Sequence, residues 1–318
     1  MGIGAAARFL RENDNFLLIA HVSPDGDTLG SCLALYDALD HMGKKVQIAC
    51  EEPVPPSLQF LHNSEVVVND GGVKPFDSVI YVDCADIQRV GTLESITLLA
   101  KNSFCIDHHE TNKGYAQGNL IEPCAATGEI VFAILKELGI EINRDIATCL
   151  FAAISTDTGN FAYSSTTPRT FEIAAELLKT GFDLPDINRR LFRTKRLQKA
   201  QLMGLLMTRL ELYEQNKFAI SHIYYEELTQ LYATSADCEG LIDYIRDIDT
   251  VEVACFVRES SSGAIRVSMR SKYDFDVSAI SVMFGGGGHQ NAAGCTMECT
   301  MDEALNKLKD AVIGRMHG

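Results

Sequence analysis

The sequence predicts an α/β protein of two domains. The N-terminal domain has a largely parallel sheet flanked by helices, and the smaller C-terminal domain is α/β with a mixed sheet. Three observations predict it. The first half alternates short apolar runs with helical patterns, which argues for strand–helix units feeding a parallel sheet. A second set of strand patterns begins near Lys217. The chain has 318 residues, 46% of them apolar, which suits one large domain or two ordinary ones with packed cores.

The elements follow in order. Residues 16–20 read as a buried strand, 27–42 as a helix ended by Gly43, and 46–50 as a second strand. Two more strands occupy 78–82 and 103–106. Helices then dominate. One runs over 128–138 between Thr127 and Gly139, and one over 144–155 with Asn143 as N-cap. Thr167, with Pro168 at the first helical position, opens another that Gly181 ends. Charged helical text covers 185–214 and contains a connector. In the second pattern, strands cover 218–223, 251–257 and 264–269, with a turn at 260–263 between the last two. Helices fill 225–232 and 241–247, and a glycine run at 285–288 precedes a final helix from Asp302. The domains are read as 1–190 and 216–318, joined by a helical connector over 191–215.

Charge restricts the partners. Asp plus Glu number 43 against 28 for Lys plus Arg, a formal charge of −15. Such a surface repels long nucleic acid, so a nucleic-acid partner must be short or gripped by a few local cations. No apolar run is long enough to span a membrane, the N-terminus lacks a secretory apolar region, and Ala6 stands where a myristoylation signal has Ser or Thr. The ten cysteines form no Cys-x-x-Cys pair and lie mostly in apolar runs. Reduced core cysteines in a cytoplasmic protein are the expectation.

Four polar clusters stand just past apolar runs. His21, Asp25 and Asp27 follow the first strand, Asp83 and nearby Asp86 follow 78–82, Asp107-His108-His109 follows 103–106, and Asp157 follows the helix over 144–155. Ligands collect at the carboxyl ends of parallel strands, where three of these clusters meet. Asp oxygen and His nitrogen are metal donors, and six of them point to two adjacent cations. The carboxylates of Asp25, Asp27, Asp83 and Asp157 balance two divalent ions. A mixed carboxylate–imidazole shell favours manganese, suits iron, cobalt or zinc, and suits magnesium less. Two such ions make a phosphoryl-transfer centre, because they acidify a water and steady the attacking and leaving oxygens.

These residues resemble a known family. His-x-x-Pro-Asp-x-Asp at 21–27, Asp83, Asp107-His108-His109 and Asp157 within Ser-Thr-Asp-Thr-Gly are similar to the four motifs of the DHH phosphoesterases. Gly285-Gly286-Gly287-Gly288-His289 followed by Ala292-Ala293-Gly294 resembles the first type of DHH-associated C-terminal domain. The resemblance implies that His21 and Asp25 hold one metal, that Asp27, His108 and Asp157 hold the other, and that Asp83 bridges them. It places His109 by the substrate phosphate and makes Asp107 the residue that orients its neighbours. It assigns Arg270, Ser271, Gly286, Gly287, Gly288 and His289 to the substrate's far end, with the active site in the cleft between the domains. The implied activity is that of the oligoribonucleases for very short RNA, several of which also remove the 3′-phosphate of adenosine 3′,5′-bisphosphate. The implied cofactors are two divalent ions, Mn2+ foremost, with Mg2+, Co2+ or Fe2+ as substitutes. The implied partners are short RNA or DNA oligonucleotides, dinucleotides and adenosine 3′,5′-bisphosphate, and a homodimer is compatible with this reading.

Plainer readings stand beside these. Asp25 could be a turn residue after Pro24, and Asp27 the N-cap of the next helix. The glycine run could be only a flexible loop, although glycines there also let backbone N–H groups approach a phosphate. The basic stretch from Arg189 to Arg196 reads as a solvated connector helix rather than a nucleic-acid groove. Tyr224 and Tyr225 read as strand-end packing. Three competing functions remain open. One is a phosphodiesterase for cyclic dinucleotides or their linear products. Another is a pyrophosphatase, which needs a C-terminal domain without the glycine–histidine run. The third is a nucleotide-binding regulator without catalysis, which intact acidic clusters argue against because unneeded carboxylates repel one another.

Overall fold

A computed structural model describes residues 1–317, the side chain of Asp70 excepted. The chain divides into two compact units, Met1–Thr194 and Lys195–Gly318.

The first unit carries strands β1 (Phe16–Ile19), β2 (Val46–Ala49), β3 (Val67–Val68), β4 (Ser78–Val82), β5 (Asn102–Asp107) and β6 (Gly118–Ile121). Its helices are α1 (Ile3–Glu12), α2 (Gly26–His41), α3 (Glu94–Thr97), α4 (Thr127–Leu138), α5 (Arg144–Asp157), α6 (Pro168–Leu178) and α7 (Leu184–Asn188). The sheet order is β3-β2-β1-β4-β5-β6, and every pairing is parallel. Chain order reverses between β1 and β4, so the loops leaving these two neighbours diverge and open a crevice at their carboxyl ends. β1 and β4 are buried throughout, as strands covered on both faces must be. Leu18, Ile80 and Ile106 face a core with α2, α4 and α5, while Leu17, Val79 and Cys105 face a second cluster with Val90 and Leu93.

Glycines set how closely three of the helices approach. A Cβ on Gly30 would stand 2.4 Å from the Cys149 carbonyl oxygen, and one on Gly26 2.3 Å from Thr156 Oγ1. A Cβ on Gly128 would lie 2.8 Å from that of Ala153. α2 and α4 therefore seat directly on α5, a separation that any larger residue would widen.

The second unit carries β7 (Glu211–Tyr213), β8 (Phe218–Ile223), β9 (Val253–Glu259), β10 (Ile265–Ser271), β11 (Gly287–His289) and β12 (Ala292–Met297). Its helices are α8 (Leu197–Thr208), α9 (Tyr225–Gln230), α10 (Leu241–Arg246), α11 (Val277–Met283) and α12 (Met301–His317). Its sheet, in the order β11-β12-β10-β9-β8-β7, is mixed: β8 and β9 are parallel and the other neighbours antiparallel. Val267 and Met269 pack on one face with Ile280 and Leu308, and Ala254 and Phe256 on the other with Leu202 and Leu241.

Several expectations need correction. Asp25, not Asp27, caps α2, with its Oδ1 accepting from the N–H groups of Asp27 and Thr28 at 3.0 and 3.1 Å. The helical text over 185–214 ends in a strand, because Glu211–Tyr213 pairs with β8. The second half of the glycine run is not a loop. Gly287–His289 forms an edge strand antiparallel to β12, where a Cβ on Gly286 would meet the Gly294 carbonyl oxygen at 2.2 Å and one on Gly288 the Ala292 oxygen at 2.5 Å. Those glycines let two backbones lie in contact. Among the described residues all the cysteines are free and most are buried, and no helix is long and apolar enough to cross a membrane.

Candidate metal centre

The site forms where the strand order reverses. His21 stands two residues past the end of β1 and Asp83 directly past β4. Asp83 has φ 61°, in the left-handed region that Asp tolerates better than most residues. Its N–H still donates to the Ile106 carbonyl at 2.9 Å. The backbone thus turns off the sheet at once and lifts the carboxylate into the crevice, the kind of local strain that collects at functional sites.

Helix ends complete the cluster. Asp27, fully buried in the first turn of α2, accepts from the N–H groups of Thr127 and Gly128 at 2.6 and 2.9 Å, both at the start of α4, and from Ser31 Oγ at 3.2 Å. Two free helix N–H groups and the helix dipole make that position suited to an anion. Asp157 is the last residue of α5, and the close seating of α2 on α5 brings it to Asp27. Thr127 Oγ1 donates to Asp83 Oδ1 at 2.8 Å.

The donor atoms fall into overlapping groups. His21 Nε2 lies 3.7 Å from Asp25 Oδ2 and 3.5 Å from Asp83 Oδ2. His108 Nε2 lies 3.4 Å from Asp157 Oδ2, 3.5 Å from Asp83 Oδ1 and 3.9 Å from Asp27 Oδ2. These separations exceed a good hydrogen bond yet let each set reach one cation. The set of His21, Asp25 and Asp83, and the set of Asp27, His108 and Asp157, each keep their donor atoms within 4.8 Å of one another. The two oxygens of Asp83 face the two sets separately. The imidazoles are set for the same task. His21 Nδ1 lies 2.8 Å from the Val22 carbonyl and His108 Nδ1 3.0 Å from that of Cys124. A proton held on His108 Nδ1 leaves its Nε2 lone pair free for a metal, whereas His21 Nδ1 also faces the Arg89 guanidinium at 2.9 Å.

Charge points the same way. Burial, then the charges of Asp83, Asp157 and Asp25, push the Asp27 carboxyl well above its ordinary range. Burial, offset in part by His108, carries Asp157 up to about 6. Burial alone would lower the His21 imidazole, but the facing carboxylates of Asp25 and Asp83 outweigh it and raise the group to about 9. Carboxylates that resist one another's ionisation are relieved by a cation. The donor chemistry, the spacing and the oriented imidazoles all fit divalent metals.

Asp107 does not join the ligand groups. Its Oδ1 accepts from His109 Nδ1 at 2.7 Å and from the His108 N–H at 2.9 Å, and its Oδ2 accepts from Asn112 Nδ2 at 2.6 Å. It holds the two histidines in place. Burial works against its ionisation, but the bonds from His109 and Asn112 keep its carboxyl below the usual range. The bond to Asp107 also raises the His109 pKa. In the second unit, Arg270 is half-buried on β10, with Nη1 donating to the Met269 carbonyl at 3.0 Å. Ser271 is buried, its hydroxyl donating to the Phe275 carbonyl at 2.6 Å and accepting from Asn291 Nδ2 at 3.1 Å. His289 is exposed at the end of β11, Gly287 and Gly288 are exposed beside it, and Gly286 is half-buried. Sequence reasoning missed Thr127 and Asn112, which hold Asp83 and Asp107. It also missed Arg89, whose Nη2 lies 2.9 Å from His21 Nδ1. None of the three sits in a local pattern that marks it.

A parallel sheet that gathers Asp and His at its switch point, in a chain that also carries a mixed-sheet unit, is the architecture of a hydrolase of phosphoester bonds. Residues 15–154 match the DHH family, N-terminal domain, and residues 215–317 match the DHHA1 domain. The bifunctional oligoribonuclease and PAP phosphatase NrnA of Thermus thermophilus is 31% identical over 93% of this chain and 88% of its own length. The protein of the same description from Bacillus subtilis is 28% identical over 93% of each. The crystal structure of an exopolyphosphatase-related protein from Bacteroides fragilis superposes with a TM-score of 0.90 at 27% identity, covering 98% of this chain and 95% of that one. The chain belongs to the DHH family of phosphoesterases and carries a DHHA1 domain.

Proposed function

We propose that this protein hydrolyses short oligoribonucleotides, of about two to five residues, to mononucleotides with manganese, and also removes the 3′-phosphate of adenosine 3′,5′-bisphosphate. The observation that carries the reading is the pair of Asp/His sets joined through Asp83, in a chain 31% identical over 93% of its length to an oligoribonuclease and PAP phosphatase. His21 and Asp25 would hold one cation and Asp27, His108 and Asp157 the other, with Asp83 within reach of both sets. Such a pair of cations supplies an activated water and neutralises charge on the attacking and leaving oxygens.

The protein's own groups do the rest. Asp27, anchored by the N-terminus of α4, and Asp83, held by Thr127, keep their oxygens fixed before substrate arrives. His109, tied through Nδ1 to Asp107 and favoured in its charged form, offers the Nε2 proton to a phosphate oxygen. In the second unit the Arg270 guanidinium can grip a further phosphate with two parallel hydrogen bonds, and the exposed glycine–histidine edge strand offers backbone N–H groups to the same end of the substrate. The charge of −15 adds a repulsion that grows with every extra phosphate, which favours short substrates.

The test is a product ladder: purified protein, manganese, and 5′-labelled RNA of about two to about twenty-four nucleotides. Fast conversion of the shortest lengths to mononucleotides, silenced by a chelator, is expected. Equal rates across lengths, or activity that survives chelation, overturns the proposal.

A further inference from the structure

The chain that follows Asp157 adopts a backbone that bulky residues avoid. Gly159, Asn160 and Phe161 hold φ of 56°, 57° and 65° in succession. Glycine enters that left-handed region freely and Asn tolerates it, but an aromatic residue there is an outlier that its surroundings must enforce. Four hydrogen bonds do so. Asn160 N–H donates to the Ser155 carbonyl at 2.6 Å and Phe161 N–H to Thr158 Oγ1 at 3.1 Å. The N–H groups of Ala162 and Tyr163 both donate to the Thr158 carbonyl, at 2.9 and 3.0 Å.

The outcome of this turn is a group of rings beside a metal-ligand position. Phe161, half-buried, stacks on Phe171 of α6 with centroids 5.3 Å apart and planes 23° from parallel, and Phe151 backs it at 5.8 Å. Phe171 nevertheless keeps 56% of its surface in solvent, and Tyr163 keeps 62%. The Tyr163 ring lies across Gly159, so close that a Cβ there would stand 2.5 Å from it. Gly159 is two residues from Asp157, at most about 7.6 Å between Cα atoms. The exposed ring is therefore within one nucleotide's reach of a phosphate at the Asp/His cluster. Single exposed apolar residues need no explanation. One exposed ring laid on a turn that leaves directly from Asp157 and is held against its backbone preference, and a second on α6 backed by Phe161 of that same turn, do.

We infer that Tyr163 and Phe171 form a stacking surface for the nucleobase attached to the phosphate that the Asp/His cluster holds. The preferred substrates are then base-bearing nucleotides rather than bare phosphate esters or polyphosphates. Stacking uses the π-face that every base has, so this surface selects for a base without reading which one. The inference rests on the proposal that the cluster binds a nucleotide phosphate, and it adds the group that recognises the rest of the nucleotide.

The test uses the intact, metal-loaded protein and two dinucleotides, one carrying 2-aminopurine at the cleaved position and one abasic there. The chain has no Trp, so 2-aminopurine fluorescence is read without indole background. Tyr163→Ala and Phe171→Ala should each raise KM for the base-bearing dinucleotide by roughly 5- to 150-fold, the fold-change that loss of one base–aromatic stack produces. Turnover at saturation should stay near wild type, and KM for the abasic dinucleotide should not move. Quenching of 2-aminopurine on binding should weaken in both alanine variants and persist in Tyr163→Phe. The inference is overturned if wild type handles both dinucleotides with the same KM, if the alanine variants change both substrates equally, or if quenching survives them. Wild-type protein that cleaves bis-p-nitrophenyl phosphate but neither dinucleotide would remove the nucleotide reading itself, and this inference with it. Cleavage of both dinucleotides with equal KM would remove only the stacking surface.

Discussion

Asp83→Asn should silence catalysis while leaving the fold intact. Asn is the informative substitute because position 83 has φ 61°, where Asn is tolerated and Ala costs roughly 1–2 kcal/mol of backbone strain. The amide keeps the side chain's size and can still meet the Thr127 hydroxyl, now 2.8 Å from Oδ1. What disappears is one negative charge that two sets share, with Oδ2 at 3.5 Å from His21 Nε2 and Oδ1 at 3.5 Å from His108 Nε2. Taking each contact at the scale of a charged hydrogen bond, about 1.5–3 kcal/mol, the two together come to about 3–6 kcal/mol. That is a rate loss of roughly 10²- to 10⁴-fold. Asp157→Asn removes a charge from one set only, so its loss should be roughly 10- to 150-fold. Hydrolysis of a generic phosphodiester under saturating manganese measures the rates, elemental analysis the metal per chain, and circular dichroism the fold. Asp83→Asn should lose both metals and Asp157→Asn one. If Asp83→Asn keeps more than about a tenth of the wild-type rate, about 1.4 kcal/mol, or is no worse than Asp157→Asn, Asp83 does not serve both sets.

Gly30→Val should destabilise the first unit by about 1–3 kcal/mol, because its Cβ would stand 2.4 Å from the Cys149 carbonyl oxygen. Gly204→Ala, in helix α8 with nothing within 4 Å of the added carbon, should instead stabilise by about 0.5–1 kcal/mol. Thermal melts of the two variants that moved in the same direction would contradict the packing argument. Arg270→Ala should weaken binding of dinucleotides by about 1.5–3 kcal/mol while sparing metal content and the hydrolysis of bis-p-nitrophenyl phosphate; equal loss on both substrates would move Arg270 into the catalytic centre or the fold. Metal loading should release protons at neutral pH. The metal-free protein holds His21 at about 9, so a cation on Nε2 displaces a bound proton, and affinity should climb with pH until that value is passed. Calorimetry in buffers of different ionisation heat measures the release, and its absence at neutral pH would contradict the assignment of His21.

What is legible in the sequence is what chemistry and burial dictate together. His21, Asp83 and Asp107 each follow an apolar run that only a buried strand explains, so their residue types and their places at the sheet's carboxyl ends can be read at once. Backbone shape and long-range contact cannot be read this way. Asp25 and Asp27 both have the chemistry of an N-cap. The choice falls to Asp25 because Asp27 is engaged by the N–H groups of Thr127 and Gly128, about a hundred residues away. The plain reading of the glycine run is a loop, since glycine weakens strands, yet β11 lies against the backbone of β12 because Gly288 carries no Cβ. Strands β3 and β6 are short and lie at the sheet edges, where alternation over two to four residues is too weak a pattern to separate from a loop. Asp157 presents the clearest case. Its side chain is marked by the motif around it, but its arrival at the centre depends on Gly26, Gly30 and Gly128, whose missing side chains let α2 and α4 seat on α5. A bulkier residue at any of the three would push α5 away and carry one carboxylate out of reach of His108, now 3.4 Å from it, without changing a single ligand. The metal centre is therefore encoded twice, once in the residues that present oxygen and nitrogen and once in the residues that present nothing.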